Sequence, residues 1–144
     1  MTQGILAFGA YIPWRRLQRK AIADTHGWFN PALKGQAKGE RAFCNWDEDT
    51  VTMAVEAARD ALRGRERGSI GALRFASTTF PFLDRLHSGI VAQALSLADD
   101  VSAIDVAATQ RAATSALIEA LSSGTETLVV GAEKRGAKAA SPFE

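Results

Sequence analysis

The hydrophobic and polar positions of the chain form short apolar runs separated by segments with helical spacing. Residues 4–12 (GILAFGAYI) form an apolar run that Pro13 ends, and this pattern predicts a strand buried on both faces. Further apolar runs at residues 70–78, 101–106 and 127–130 predict three more strands. The predicted strands are therefore spread along the whole chain.

Helical spacing is clearest in the segment DEDTVTMAVEAARDALRG, residues 47–64. Acidic residues at its start suit the positive end of the helix dipole, and Gly64 predicts its end. Residues 88–97 and 111–121 predict two further helices, whereas residues 14–45 predict only a short helix and an irregular loop. One face of the clearest helix collects the apolar side chains of Val51, Val55, Ala58 and Leu62.

Strands and helices thus alternate, which predicts an α/β fold with a mostly parallel sheet and helices on both faces. Such sheets present their chemistry at the carboxyl ends of their strands. We therefore expect functional residues in three segments that follow predicted strands: residues 77–82, 107–111 and 131–135.

Length and composition narrow the range of functions. A chain of 144 residues is about one domain, and 47% hydrophobic with 23% charged residues is typical of a globular protein. The net charge of +1 provides no field that would attract nucleic acid, and no apolar run approaches the roughly 20 residues that cross a bilayer. The first residues lack the pattern of a secretory signal, so we expect a cytoplasmic protein without membrane or nucleic-acid partners.

Several side chains that could bind a metal or take part in catalysis are better explained by structural roles. The single cysteine, Cys44, excludes an internal disulfide, and its loop position favours a free structural thiol over a nucleophile. His26 and His87 have no second ligand at metal spacing, which favours surface or helix-start positions and predicts no metal site. The acidic run at residues 47–49 favours helix capping over a paired-carboxylate site, because consecutive residues point in different directions.

Five segments, taken in order, resemble the amino-terminal half of the 3-hydroxy-3-methylglutaryl-CoA synthases, members of the thiolase superfamily that also contains the ketoacyl-ACP synthases. The segments are GAYIP, DEDTVTMAVEAARDAL, LRFASTTFPF, AIDVAATQRAATSAL and LVVGAEKR. The resemblance implies that residues 1–144 form a single thiolase-like domain, one half of a duplicated fold whose second half is absent from this chain. It also implies a role in acyl-CoA metabolism, with a coenzyme A thioester as ligand and no covalently bound cofactor.

The resemblance also implies two substitutions at catalytic positions. The synthases carry an acyl-accepting cysteine at the bend before the helix at residues 111–121, where this chain has Gln110. They carry a general-acid glutamate after the strand at residues 70–78, where this chain has Thr78. A carboxamide accepts no acyl group and a threonine donates no proton at neutral pH, so the family's covalent step is lost. The family's histidine and asparagine belong to the second half.

Two interpretations of Gln110 stay open, and both start from a pocket around its side chain at the amino end of a buried helix. In the first, its amide NH₂ holds a thioester carbonyl oxygen while CO₂ leaves, and a second polypeptide supplies the histidine. The chain is then part of an enzyme of carbon–carbon chemistry on coenzyme A thioesters. In the second, catalysis is lost and Gln110 only caps the helix start or hydrogen-bonds within the bend. The chain is then a non-catalytic acyl-CoA-binding or scaffold subunit of a condensing-enzyme complex.

The helix at residues 111–121 bears on the partners of the chain. It is rich in alanine and leucine with few charges, which is typical of burial on more than one face. A half-fold leaves such a helix without the layer that covers its outer side. We therefore expect a homo- or hetero-oligomer with a chain that supplies the second thiolase half.

A basic segment with tryptophan provides candidate contacts to coenzyme A. Trp28 and Arg41 stand in an order similar to the tryptophan and arginine with which ketoacyl synthases grip the adenine and phosphates of coenzyme A. Arg111, next to Gln110, could point at the same ligand or offset a nearby acid. The alternative is a solvated basic helix face with Trp28 closing the core.

Overall fold

The computed structural model of the chain describes residues 3–141, which form two compact units. The smaller unit comprises residues 12–47 and 135–141, and the larger unit comprises residues 3–11 and 48–134. None of the helices in the described residues has the length and apolar composition that crossing a bilayer requires. That the whole chain acts as one domain stays a prediction.

The smaller unit is built from two strands and two short helices. β1 (Arg15–Gln18) pairs antiparallel with β2 (Glu40–Phe43), and α1 (Arg19–His26) and a 3₁₀ helix (Pro31–Gln36) lie between them in sequence. The short helix is confirmed, but the strand pair is not predicted, because β1 is exposed along its length and shows no apolar alternation. The buried core of this unit consists of Ile22, Ala23 and Leu33.

The larger unit contains a three-stranded parallel sheet. Its elements are α2 (Thr50–Ala61), β3 (Ala72–Ala76), α3 (His87–Ala94), β4 (Ser102–Val106), α4 (Ala112–Ser123) and β5 (Thr127–Gly131). β3 pairs in parallel with β4 on one side and with β5 on the other. All of these elements are predicted from the sequence, with bounds that differ by a few residues, and the α/β class is confirmed.

Helices cover both faces of this sheet. Leu73 and Phe75 of β3 are fully buried in a cluster with side chains of α2 and α3. Arg74, which stands between them, donates to Glu119 of α4, with 3.1 Å between Arg74 Nε and Glu119 Oε2. Since successive side chains of a strand point to opposite faces, α4 lies on the face opposite α2 and α3.

The first turn of α2 is closed by a reciprocal pair of hydrogen bonds. Asp49 Oδ1 accepts from Thr52 N at 2.8 Å, and Thr52 Oγ1 accepts from Asp49 N at 2.8 Å. This capping box satisfies two backbone donors at once. The acidic run at residues 47–49 therefore contributes a helix cap, and Gly64, with a φ of 71°, lies in the left-handed region just beyond the helix as expected.

Residues 4–12 do not form the predicted strand. They are largely exposed, with Phe8 at 91%, and the segment is held against α2 instead. Its contact with that helix is close, because a Cβ at Gly9 would lie only 2.2 Å from Ala61 N. A buried strand must pair its backbone groups with a sheet edge, and neither edge of the described sheet pairs with this segment.

The carboxylate of Asp105 joins β4 to the start of α3. Asp105 Oδ2 accepts hydrogen bonds from His87 N and His87 Nδ1, both at 2.8 Å, and Oδ1 accepts from Ser88 N at 2.7 Å. No side chain at the N-cap position of α3 forms a cap, so β4 supplies one. Burial raises the pKa of Asp105, but hydrogen bonds from Ser88 and His87 outweigh it and hold the pKa below its ordinary value.

We expect Asp105→Asn to lower the free energy of unfolding by about 1–3 kcal/mol at neutral pH, because the amide carries no charge and accepts fewer hydrogen bonds. Since the folded-state pKa is lowered, this stabilisation is present above the unfolded-state pKa of about 3.9 and is lost as the pH falls through the folded-state pKa. The difference between wild type and variant in urea denaturation should therefore shrink when the pH is lowered from about 6 to about 3.

The matched control is Asp100→Asn, which changes an exposed carboxylate. It should alter the free energy of unfolding by less than about 0.5 kcal/mol at either pH. A loss for Asp105→Asn that does not depend on pH would contradict the role given to the charge of this carboxylate.

Candidate functional site

The carboxyl ends of β3, β4 and β5 meet at one edge of the sheet. Ser77 N, just after β3, donates to Val106 O at the end of β4, with 3.1 Å between the atoms. Ala132 N, just after β5, donates to Ala76 O at 3.2 Å. The three segments that the sequence pattern singles out therefore start side by side, and this edge is the candidate site of the larger unit.

The bend between β4 and α4 has an unusual backbone. Ala108 has a φ of 71°, in the left-handed region that residues with a Cβ rarely adopt. Such residues cost about 1–3 kcal/mol and are concentrated at functional sites. The sequence carries no signal for this conformation, because alanine is not a typical turn residue. Ala108 lies two residues before Gln110, and its backbone conformation shapes the bend that contains Gln110.

Gln110 lies in the turn before α4, and its side chain is exposed. Residues 3–141 do not enclose this side chain as expected, and the helix beside it, α4, buries only Ala112 and Ala116 and leaves Ile118 59% exposed. The capping interpretation is not supported either, since α4 has no side-chain cap and Thr109 O accepts the hydrogen bond from Ala112 N at 3.0 Å. The carboxamide of Gln110 is thus accessible to a ligand, whereas Arg111 N and Ala112 N already donate to Thr109.

Thr78 forms part of a hydrogen-bonded cluster with Glu133 at the same edge. Glu133 Oε1 accepts from Thr78 N at 2.7 Å, and Glu133 Oε2 accepts from Thr78 Oγ1 at 2.8 Å and from Thr79 Oγ1 at 3.0 Å. Glu133 is not predicted as a site residue, because its only signal in the sequence is its place after the last predicted strand. The fold therefore brings a carboxylate beside the position where the resemblance implies a glutamate, from a different segment of the chain.

His87 is buried at the start of α3 and is not a surface residue. Its ring stacks on Phe80 and Phe82, with centroid distances of 4.3 Å and 5.8 Å. Phe82 N donates to His87 Nε2 at 3.2 Å, so the ring proton is on Nδ1, which donates to Asp105. Both ring nitrogens are engaged by the protein, and this accounts for His87 as a structural residue.

Trp28 lines a cleft of about 590 Å³ in the smaller unit. The indole is 81% exposed and packs edge-on against Phe29, with 5.7 Å between ring centroids. Three lysines also line the cleft: Lys20, Lys34 and Lys38. Lys20 pairs with Asp24 at 2.5 Å, whereas the ammonium groups of the other two form no ion pair within residues 3–141. The cleft therefore offers an aromatic face and two uncompensated positive charges, which suit a ligand with a ring and phosphates.

The other predicted site residues lie elsewhere. Arg41 is on β2, opposite Leu17 of β1, and does not line the cleft at Trp28. Arg111 is exposed at the start of α4 in the larger unit, and Cys44 is half-buried. The roles of Arg41 and Arg111 as coenzyme A contacts stay predictions. Within the described residues, no group of three His, Cys, Asp or Glu side chains is arranged to hold a metal ion.

No protein-family model matches the chain. The hydroxymethylglutaryl-CoA synthase of Aeropyrum pernix is 37% identical over 139 residues, which cover 92% of this chain and 38% of that protein. The hydroxymethylglutaryl-CoA synthase of Methanosarcina mazei is 38% identical over 120 residues, which cover 81% of this chain and 34% of that protein. The chain thus spans little more than a third of the length of these relatives.

Solved structures share the fold of the chain. The β-ketoacyl-[acyl carrier protein] synthase III of Thermus thermophilus superposes with a TM-score of 0.76 at 26% identity, covering 91% of this chain and 43% of that one. The OleA protein of Xanthomonas campestris, with bound lauric acid and lauroyl-CoA, superposes with a TM-score of 0.73 at 23% identity, covering 85% of this chain and 39% of that one. Sequence and fold agree: most of the chain is similar to a part of hydroxymethylglutaryl-CoA synthases, and its fold is that of the thiolase superfamily.

Proposed function

We propose that the chain is one part of a hydroxymethylglutaryl-CoA synthase-like assembly of acyl-CoA metabolism, in which Gln110 stands in place of the acyl-accepting cysteine. The observation that carries the proposal is the bend before α4, where Gln110 follows the strained Ala108 at the carboxyl edge of the sheet. The chain spans little more than a third of the length of its relatives, which supports a partial fold that is completed by residues outside this sequence.

Gln110 can hold a thioester carbonyl without taking up the acyl group. Its amide NH₂ donates to the carbonyl oxygen, and N–H groups further along the first turn of α4 donate to the same atom. With malonyl-CoA, the bond between the carboxylate carbon and the methylene carbon breaks, CO₂ leaves, and the electron pair moves onto the thioester oxygen as an enolate. A proton then returns to the methylene carbon and acetyl-CoA forms.

The proton for that last step comes from the second polypeptide. The hydroxyl of Thr78 is not acidic enough to supply it at neutral pH, and it is already donated to Glu133. The histidine that the resemblance assigns to the second half is a suitable donor. The proposed chemistry therefore needs both polypeptides, with this chain holding the thioester oxygen.

The cleft at Trp28 supports binding of coenzyme A by this chain. The adenine ring stacks on the exposed indole, and Lys34 and Lys38 pair with the phosphates. The OleA structure with bound lauroyl-CoA supports this assignment, because a protein of the same fold holds an acyl-CoA. Arg41 does not line this cleft, and its contact with coenzyme A stays a separate prediction.

The second candidate function is a non-catalytic acyl-CoA-binding or scaffold subunit of a condensing-enzyme complex. The uncovered outer face of α4 favours it, because Leu117 and Ile118 are exposed there and offer an apolar surface to a partner. The two functions differ in whether a bound thioester loses CO₂.

Replacing the indole tests coenzyme A binding. We expect Trp28→Ala to weaken binding of coenzyme A by about 5- to 30-fold in isothermal titration calorimetry, because stacking and cation–π contacts contribute about 1–2 kcal/mol. The matched control is Trp46→Ala, whose indole is 87% exposed but does not line the cleft. Equal weakening by both variants would contradict the cleft as the binding site.

Release of CO₂ separates the two candidate functions. We mix the chain with the part of the Aeropyrum pernix synthase outside the matching region and expect CO₂ from malonyl-CoA, slowed about 100-fold or more by Gln110→Ala. The control Gln93→Ala, at an exposed position of α3, should release CO₂ at the wild-type rate. Binding of malonyl-CoA with no CO₂ from any of these mixtures would favour the scaffold function.

Restoring a cysteine tests the geometry of the bend. We expect Gln110→Cys, made in a Cys44→Ser background, to gain the mass of one acetyl group from acetyl-CoA, because a thiolate at a helix start is stabilised. The Cys44→Ser chain that keeps Gln110 should gain none in the same mass spectrometry experiment. If the new cysteine stays unmodified, the bend does not have the geometry of an acyl-accepting site.

A further inference from the structure

The imidazole of His87 is a buried titratable group that the proposed chemistry does not use. It lies at the start of α3, and His87 is only 3% exposed. Its two ring nitrogens are bonded to Asp105 Oδ2 at 2.8 Å and to Phe82 N at 3.2 Å. Histidine is the side chain whose charge most readily changes between pH 5 and 8. A proton taken up by this ring must therefore change one of the two contacts.

The ring of His87 holds the loop that precedes α3. We call residues 81–85, which are all exposed, the loop segment. Among the residues that the structure describes, the bond from Phe82 N to His87 Nε2 is the one hydrogen bond that joins the loop segment to the rest of the protein. The ring of Phe82 also stacks on the imidazole, with 5.8 Å between centroids. The position of the loop segment therefore depends on a single side chain.

The residues before the loop segment are held by other contacts. Glu133 accepts hydrogen bonds from the hydroxyl groups of Thr78 and Thr79 at 2.8 Å and 3.0 Å. The ring of Phe80 packs edge-on against Phe75 of β3, with 5.0 Å between centroids, and joins the buried cluster. None of these contacts uses His87. Loss of the bond to Phe82 N should therefore free the loop segment and leave residues 77–80 in place.

The contact with Phe82 requires a neutral imidazole. In the neutral ring, Nδ1 donates its proton to Asp105 and Nε2 accepts from Phe82 N. A protonated imidazole carries a hydrogen on both nitrogens, so Nε2 and Phe82 N would point their hydrogens at each other across 3.2 Å. The contact with Asp105 survives protonation and becomes an ion pair. A proton on Nε2 is thus compatible with the partner on β4 and incompatible with the loop segment.

The charged groups around the ring favour the same outcome. Although burial alone would raise the pKa of Asp105, hydrogen bonds from the start of α3 hold that pKa below its ordinary value, so the carboxylate keeps its charge at pH 5. In the loop segment, the Arg85 guanidinium lies 5.9 Å from the centroid of the Phe82 ring, and Asp84 is exposed. The buried residues of α2 and β3, and the remaining residues of α3, carry no charge. Asp105 therefore retains a protonated ring, whereas the cation of Arg85 disfavours a second positive charge beside the closed loop.

We infer that the loop segment is an acid-sensitive switch, in which a proton from solvent binds His87 Nε2, breaks the bond to Phe82 N and releases residues 81–85 from α3. Asp105 keeps the imidazole in place. The released state binds the proton more tightly because its Nε2 faces water, so acid shifts the population toward it. Release also frees the ring of Phe82, which then adds to the exposed side chains of Leu83 and Leu86. This inference goes beyond the proposed function and does not depend on it.

Amide exchange of the wild-type chain, measured by NMR at pH 8 and pH 5 and corrected for the intrinsic effect of pH, tests the switch. We expect the protection of the Phe82 amide to fall about tenfold at pH 5. The fall should follow the appearance of a proton on His87 Nε2 in nitrogen spectra of the imidazole. The amide of Ser77, which donates to Val106 O at the sheet edge, should keep its protection at both pH values.

Two substitutions of histidine separate this switch from a general effect of acid. His87→Gln places a carboxamide oxygen that accepts from Phe82 N at every pH, so the protection of that amide should no longer depend on pH. The matched control is His26→Gln, which removes the other of the two histidines, in the smaller unit, and should respond to acid as wild type does. His87→Ala offers no acceptor, and its loop segment should be released at both pH values.

Several results would overturn the inference. They are a Phe82 amide equally protected at pH 8 and pH 5 in the wild-type chain, and the same loss at pH 5 in His87→Gln. Loss of protection throughout β3 at pH 5 would also overturn it, because acid would then unfold the larger unit. If thermal unfolding shows that His87→Gln does not fold, the wild-type chain decides. A proton on His87 Nε2 with the Phe82 amide still protected would refute the switch, and simultaneous change of both would support it.

Discussion

The larger unit depends on the burial of β3 between β4 and β5. Leu73 and Phe75 are fully buried, and each contributes about 1.5–3 kcal/mol relative to an exposed position. The same strand bonds to a neighbour on each side, which sets the register of all three strands. Because the strands are parallel, their carboxyl ends coincide at one edge. The position of Gln110 beside the segments that follow β3 and β5 is thus a consequence of a buried strand far from it in sequence.

Two carboxylates near that edge connect chain segments through hydrogen bonds. Asp105 accepts three hydrogen bonds from the start of α3, and Glu133 accepts three from Thr78 and Thr79. Each carboxylate joins segments that are distant in sequence. Each therefore holds a loop in an orientation that the sheet alone would not determine. Asp105 lies on the strand that leads directly into the bend at Ala108. The bend is therefore anchored on one side by a helix cap and on the other by the first turn of α4.

The sequence predicts those helices and strands in which the spacing of apolar residues matches the face that the element buries. β3 and α2 belong to this group, since their patterns match the faces that they bury. Residues 4–12 are apolar as well, but a strand must also lie within hydrogen-bonding distance of a sheet edge, and the spacing of side chains says nothing about that. Long-range contacts are not predicted from the sequence for a related reason. His87 contacts Asp105, and Thr78 contacts Glu133, only because the sheet brings these distant residues together. Neither pair has a spacing that a local pattern could reveal.

The exposure of Gln110 follows from the incomplete cover of α4. Among the described residues, this helix buries little more than Ala112 and Ala116, and β5 beside it is paired on one side only. An amide in contact with water gains little by exchanging a water molecule for a thioester oxygen, because the two hydrogen bonds are similar in strength. The same amide contributes far more where water is excluded and the local dielectric is low. In the proposed assembly, a second polypeptide that covers α4 would therefore do more than add a proton donor, because it would also create the surroundings in which Gln110 could stabilise an enolate.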